Sequence, residues 1–202
     1  MSYLNTHSNR FFSHTMAASF ILFASVTSHA NAESTAKANK AKFYGDFRLR
    51  YESVKQDNAL EDADALTLRS RVGYKTANYE GFSAVIEVED VRELVDDFSV
   101  PPAGVRPGEF SVIADPEGTE IDQAFVQYAN EKLSVKLGRQ VFVLDGQRFV
   151  GHVGWRQDRQ TFDGVVLNYK PSKNFNINAS YIDKRNRIFA DESDIDLSLI
   201  HI

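Results

Sequence analysis

The sequence contains no cysteine, which excludes thiol catalysis, disulfide staples and every cysteine-based metal site. It also lacks the run of about 18 apolar residues that an ordinary membrane-spanning helix needs. Tryptophan occurs once and proline five times in 202 residues. There is no phosphate-cradling glycine loop and no G-x-S-x-G nucleophile motif. Positive charge is scarce: 23 Lys and Arg stand against 28 Asp and Glu, for a formal net charge of -5. That balance argues against nucleic acid as a partner. Composition alone would fit a soluble domain, but the residue pattern points elsewhere.

The first 32 residues read as an address. Arg10 is the only formally charged side chain before Glu33, and an apolar stretch from Met16 to Val26 follows it. Ala30-Asn31-Ala32 is then a small-residue A-x-A cleavage site, with Ala30 and Ala32 as its recognition positions. A positive start, a short apolar core and small residues at the cut make a secretory signal. Residues 33–42 are polar and read as a short periplasmic lead-in.

From Phe43 onward apolar residues recur with a period of two, the strand signature. In residues 43–52, Phe43, Gly45, Phe47, Leu49 and Tyr51 share one face; Tyr44, Asp46, Arg48, Arg50 and Glu52 share the other. The pattern returns at 66–76, 82–90, 121–128, 133–138, 161–169 and 175–182. A soluble sheet also alternates. Strands of about ten residues with aromatics at their apolar ends instead match tilted transmembrane strands with interfacial girdles. The connections sort by parity: 77–81, 129–132 and 170–174 are short, whereas 53–65, 91–120 and 139–160 are long. Outer-membrane barrels alternate short periplasmic turns with long external loops in this way.

The expected fold is therefore all-β: an antiparallel up-and-down transmembrane β-barrel, incomplete, with about seven strands of a larger barrel. An odd strand count leaves such a barrel unclosed, and unpaired edges are costly in lipid. The barrel part is expected to span 43–196. Residues 197–202, Leu-Ser-Leu-Ile-His-Ile, resemble the translation of a transposon-end sequencing adapter and are expected to be a non-native end.

Three groups of residues carry a family resemblance. They are Lys136-Leu137-Gly138-Arg139-Gln140, Gln147-Arg148-Phe149-Val150-Gly151 and Gly154-Trp155-Arg156-Gln157, supported by 44–51 and 160–164. Together they resemble the alginate-export family of outer-membrane porins, over about Phe43 to Tyr181. The resemblance implies the first part of a barrel of about sixteen to eighteen strands and a channel for small polar solutes, anionic or carbohydrate.

Asp46, Arg48, Arg50, Glu52, Arg69, Arg71, Lys75, Glu87 and Glu89 occupy polar strand faces and are expected to line the pore. They can equally satisfy one another across strands, Arg71 with Glu87 for instance. Lys136, Arg139, Arg148, Arg156 and Arg159 make a basic stretch, expected to fold inward as an anion-favouring constriction. The acidic connection 91–120 is expected to stay outside. Trp155 reads either as an interfacial anchor or as packing for the inner loop. His152 with Asp145 or Asp158 could suggest a triad, but triads are defined by geometry, and catalysis is not expected. The acids at 61–64 and at Asp96-Asp97 lack the spacing of a calcium loop, and no cofactor is implied. The expected partners are outer-membrane lipid, small polar solutes and the barrel assembly machinery. Competing readings are a surface adhesin or structural barrel, and a soluble periplasmic β-sheet binding protein.

Overall fold

A computed structural model describes residues 40–189 and the backbone of 195–201. Ala30, Ala32 and most of the lead-in lie outside the described residues. The strands are β1 (Lys42–Val54), β2 (Ala63–Lys75), β3 (Phe82–Asp97), β4 (Gly118–Ala129), β5 (Leu133–Gln140), β6 (Thr161–Ser172), β7 (Phe175–Asn186) and β8 (Ile195–His201). They form a single eight-stranded sheet in sequence order. Every neighbouring pair is antiparallel, and β1 and β8 are its two edges. This is an up-and-down sheet that does not close, an incomplete barrel. The backbone of residues 195–201 pairs with β7, so an eighth strand joins the seven read from the sequence.

Strands β1–β7 are amphipathic, but the burial is inverted relative to a soluble protein. Phe43 is 77% exposed, Phe47 62% and Leu137 60%, and Leu49, Tyr51, Val72, Ile86, Val88 and Val126 are exposed with them. The buried positions of the same strands include Arg50, Glu52, Thr67, Arg69, Arg71, Glu87, Glu89 and Asp122, with the small or apolar Ala63, Ala65 and Val91 toward the long-loop end. A contiguous apolar band of this kind marks contact with lipid or another apolar surface. From Phe43 to Tyr51 it runs about 27 Å along β1, at roughly 3.4 Å per residue, which at a tilt of about 40° crosses about 21 Å, most of the ~25 Å apolar belt of an outer-membrane barrel. Aromatic pairs border it at the short-turn end: Phe43 lies 4.6 Å from Tyr74, and Phe82 lies 4.8 Å from Tyr128.

The short turns are fixed by local polar chemistry. Asn78 Oδ1 accepts the Gly81 N–H at 3.0 Å, and Asn130 Oδ1 accepts those of Lys132 and Leu133 at 2.9 and 2.8 Å, as Asx turns do. On the inner face Tyr44 lies over Gly73, where a Cβ would sit 2.2 Å from the ring. A glycine beneath an aromatic ring lets the ring cover the neighbouring backbone.

Several bulges and register shifts interrupt the ladder. One leaves Leu94 of β3 unpaired opposite Leu66 and Thr67, one leaves Asp122 of β4 unpaired opposite Glu87 and Val88, and one leaves Asp183 of β7 unpaired. Bulges re-aim side chains. The one in β4 turns both Asp122 and Gln123 toward the inner face, which explains the poor alternation of that strand.

At the long-loop end the connections fold over the inner face. Phe98, Val100 and Ile113 pack on Ala63 and Ala65, which are inward positions of β2. The expectation that 91–120 lies outside is therefore corrected. Its apolar residues turn in because β2 offers only small side chains there, while Asp96, Asp97, Glu109 and Glu117 stay toward solvent. Strand β3 also runs on to Asp97, further than the alternation suggested, with the Leu94 bulge absorbing the break.

Candidate functional site

The charged faces of β1–β4 meet the connection 141–160 between β5 and β6. The residue that joins them is Gln157, which is fully buried. Its side-chain amide donates to Thr67 Oγ1 at 2.7 Å and to Thr67 O at 3.0 Å, and its Oε1 accepts from Arg48 Nε at 2.8 Å. Its backbone N–H donates to Asp115 Oδ1 at 2.8 Å, and its carbonyl accepts from Arg71 at 3.3 Å. A glutamine suits this position because it both donates and accepts, so every polar atom is met without adding charge.

Arginines clamp the rest of the segment. Arg48 donates to the carbonyls of Gly154 and Arg156, and Arg50 to that of Trp155 at 2.8 Å. Arg50 pairs with Glu52 at 2.5 Å and with Asp115 at 3.1 Å. Arg156 reaches the same two acids, at 3.0 and 3.7 Å, and lies 4.0 Å from the Trp155 ring centre. Two guanidiniums thus share two carboxylates, and Trp155, 60% exposed, is held by a cation–π stack. The tryptophan belongs to the inner segment and is not a membrane-interface anchor. Further along, Arg159 pairs with Asp122 and, at 2.5 Å, with Glu87. Arg71 pairs with Glu89, and Arg69 with Asp46.

The protonation of the loop acids follows from this packing. Burial pushes the Asp115 carboxyl above its ordinary range, opposed by Arg50, the Gln157 N–H and Arg156. Burial works against the charge of Arg159, but Asp122 with Glu87 and Glu89 outweighs it and holds that guanidinium above its usual value. Asp158 is pushed from 3.8 up to about 10, first by burial and then by Glu120 and Glu89. Far from serving as a triad acid for His152, Asp158 faces other carboxyls.

The expected pore-lining residues separate by position. Arg48, Arg50, Glu52, Arg71, Glu87 and Glu89 join the network, Asp46 and Arg69 pair beside it, and Lys75 is exposed at the short-turn end. The expected Arg71–Glu87 pair is corrected. Register sets Arg71 opposite Glu89 and Gly73 opposite Glu87, which leaves Glu87 for Arg159.

Of the five basic residues expected in a constriction, Arg156 and Arg159 are in the network. Lys136 sits on the inner side of β5, its Nζ 4.8 Å from the Phe125 ring centre. Arg148 is exposed beside Phe149. Arg139 is a correction: it registers with Ala124 on the face that carries Val126 and Leu137, and its Nε donates to Asp163 at 2.9 Å. It therefore lies on the outer face.

Asp115, Asp122 and Gln157 are the members that sequence reading missed. Gln157 stood in the Gly-Trp-Arg-Gln stretch, a signal without a role, whereas Asp122 was hidden by its bulge. The acids near 61–64 and 96–97 are engaged at the surface: Asp62 with Lys55 at 3.4 Å, Asp64 with the Tyr51 hydroxyl at 2.6 Å, and Asp96 with Arg106 at 2.5 Å.

A family model described as alginate export matches residues 39–183. No curated protein matches the chain.

Proposed function

The chain belongs to the alginate export family, whose members are outer-membrane export channels, and from that premise we propose that its polar face is one wall of a pore for small polar solutes. The solutes fitting this wall are anionic or carbohydrate. Segment 141–160 is the constriction, held by Arg48, Arg50 and Arg156. Outer-membrane lipid faces the apolar band, and the barrel assembly machinery inserts it. The short turns then lie in the periplasm and the long loops outside.

The observation that carries this reading is the inverted burial. Carboxylates and guanidiniums are buried on one face of the sheet, while phenylalanine, leucine and valine are exposed on the other. A soluble binding protein would have to leave that apolar band in water. Membrane-embedded strand edges are not tolerated in lipid, so β1 and β8 must each pair with a further strand before the wall can enclose water.

Acids and arginines nearly balance in the network. The constriction therefore acts through a fixed transverse field and the shape of the Trp155–Arg156 stack, with net sign as the weaker factor. The density of hydrogen bonds also suits a structural barrel or adhesin that conducts nothing.

Single-channel recording on the closed barrel in planar bilayers separates the two. Discrete conductance whose ion preference moves toward cations in Arg156→Ala is the expected result. A cation preference indifferent to Arg156→Ala would refute the constriction, and absence of any conductance would favour the structural reading.

A further inference from the structure

Beside the network lies a second cavity of about 280 Å³, between the inner face of β3 and β4 and the long connections. Glu89, Glu120 and Asp158 line it together with the apolar Val91, Val105 and Phe189. Asp158 is 5% exposed and Glu89 1%, yet Asp158 Oδ1 and Glu89 Oε1 have no hydrogen-bond partner. The nearest cations are committed elsewhere: Arg71 to the other oxygen of Glu89, and Arg159 to Asp122 and Glu87. A buried carboxyl oxygen without a partner is costly, and two in one cavity lining offer a place for a positive group that takes over from the Asp158 proton. That group is not a metal ion, because among the described residues no three acids converge closely enough to hold one. The apolar residues that line the cavity with the acids call for a cation with a hydrocarbon part.

We propose that this cavity binds a small amphipathic organic cation, its ammonium or guanidinium group against Asp158 and Glu89 and its alkyl stem against Val91, Val105 and Phe189. The proposal does not depend on the channel reading.

In the empty cavity Asp158 keeps its proton up to about pH 10. The groups facing it are Glu89 of β3 and Glu120 and Asp122 of β4. Arg71 and Arg159 lie behind those acids, and Arg187 lies over Phe189. A bound cation replaces the proton, so binding releases one proton and tightens as pH rises.

Agmatine, a guanidinium on a butyl stem with a terminal amine, is the probe. It is titrated calorimetrically into the full chain in detergent micelles, in two buffers of different ionisation enthalpy. Saturable binding with proton release is expected, the affinity rising about tenfold per pH unit below the Asp158 pKa. Asp158→Asn should weaken binding at least about tenfold and remove the pH slope. Val105→Trp fills the cavity and leaves every carboxylate in place. It should abolish binding with an unchanged far-UV circular dichroism spectrum, and it decides the matter if Asp158→Asn does not fold. Absence of saturable binding across the pH range would overturn the proposal. So would binding unchanged by either variant, or displacement of agmatine by equimolar calcium.

Discussion

The inner face of β1–β4 and that of β5–β7 belong to one continuous sheet, yet they are built from different chemistry. The first carries Arg48, Arg50, Arg69, Arg71, Glu87, Glu89 and Asp122 beneath the 141–160 segment. The second carries Ser134, Lys136, Gln140, Asn168, Asn178 and Ser180 along an open groove of about 320 Å³ with Phe142, Val143 and Leu144. On the charged side, removing one partner strands another in a poorly solvated place. On the second side charge is sparse, and Asn168 and Asn178 are open enough to exchange partners with water, whereas Gln140 and Ser180 are buried. The same backbone thus supports one wall that holds a loop rigidly and one that stays accessible.

The largest expected break in this contrast is Arg156→Glu. It sets a third acid against Glu52 and Asp115, where loss of a buried pair costs about 3–5 kcal/mol. The 141–160 segment should then leave the wall. Trypsin cleavage at Arg148 and Arg159 should accelerate, while cleavage at Lys173, in the short β6–β7 turn, should not change.

The next effect is set by pH. The folded pKa of Asp158, about 10, lies above its ordinary 3.8, so the docked loop keeps a proton that the released loop gives up. Docking is therefore strongest below about pH 4 as far as this group is concerned, and weakens as pH rises toward 10. Asp115 is shifted in the same direction. Trp155 fluorescence against pH should follow the release, and Asp158→Asn should leave only the smaller slope from Asp115. A profile that Asp158→Asn does not flatten would show that other groups control docking.

Between the two regions lies Gly138, with φ at +122° and a would-be Cβ 2.3 Å from the Ala124 carbonyl oxygen. Gly138→Ala should destabilise the seam by about 1–3 kcal/mol, read as a lower urea midpoint. The smallest effect belongs to the neutral wall. Asn178→Ala removes the exposed Asn168–Asn178 hydrogen bond and should cost less than about 0.5 kcal/mol, with the urea midpoint nearly unchanged.

How far each feature could be read in advance depended on the range of the interaction behind it. Alternation in 43–52 is local, so the faces of β1 and their aromatic border were legible from spacing. Pairing Arg71 with Glu87 required the register of the β2–β3 hairpin, and the structure shifts it by two residues to Glu89. Arg139 was read as inward as part of the basic connection 139–160, but it ends up in β5, where strand parity carries it to the outer face with Asp163. Asp122 could not be seen, since one extra residue in β4 reverses its side. Gln157 had no charge or periodicity to mark it.

By itself the sequence determined the all-β class, the strand faces and the loop parity, because each rests on the two-residue period of a strand and on turn residues close in the chain. Only the tertiary structure decided which acid meets which arginine and that the acidic connection 91–120 folds inward as well. It alone decided, too, that Gln157 closes the network. Those outcomes join residues such as Arg48 and Gln157, 109 positions apart, and depend on register and bulges that no local pattern encodes.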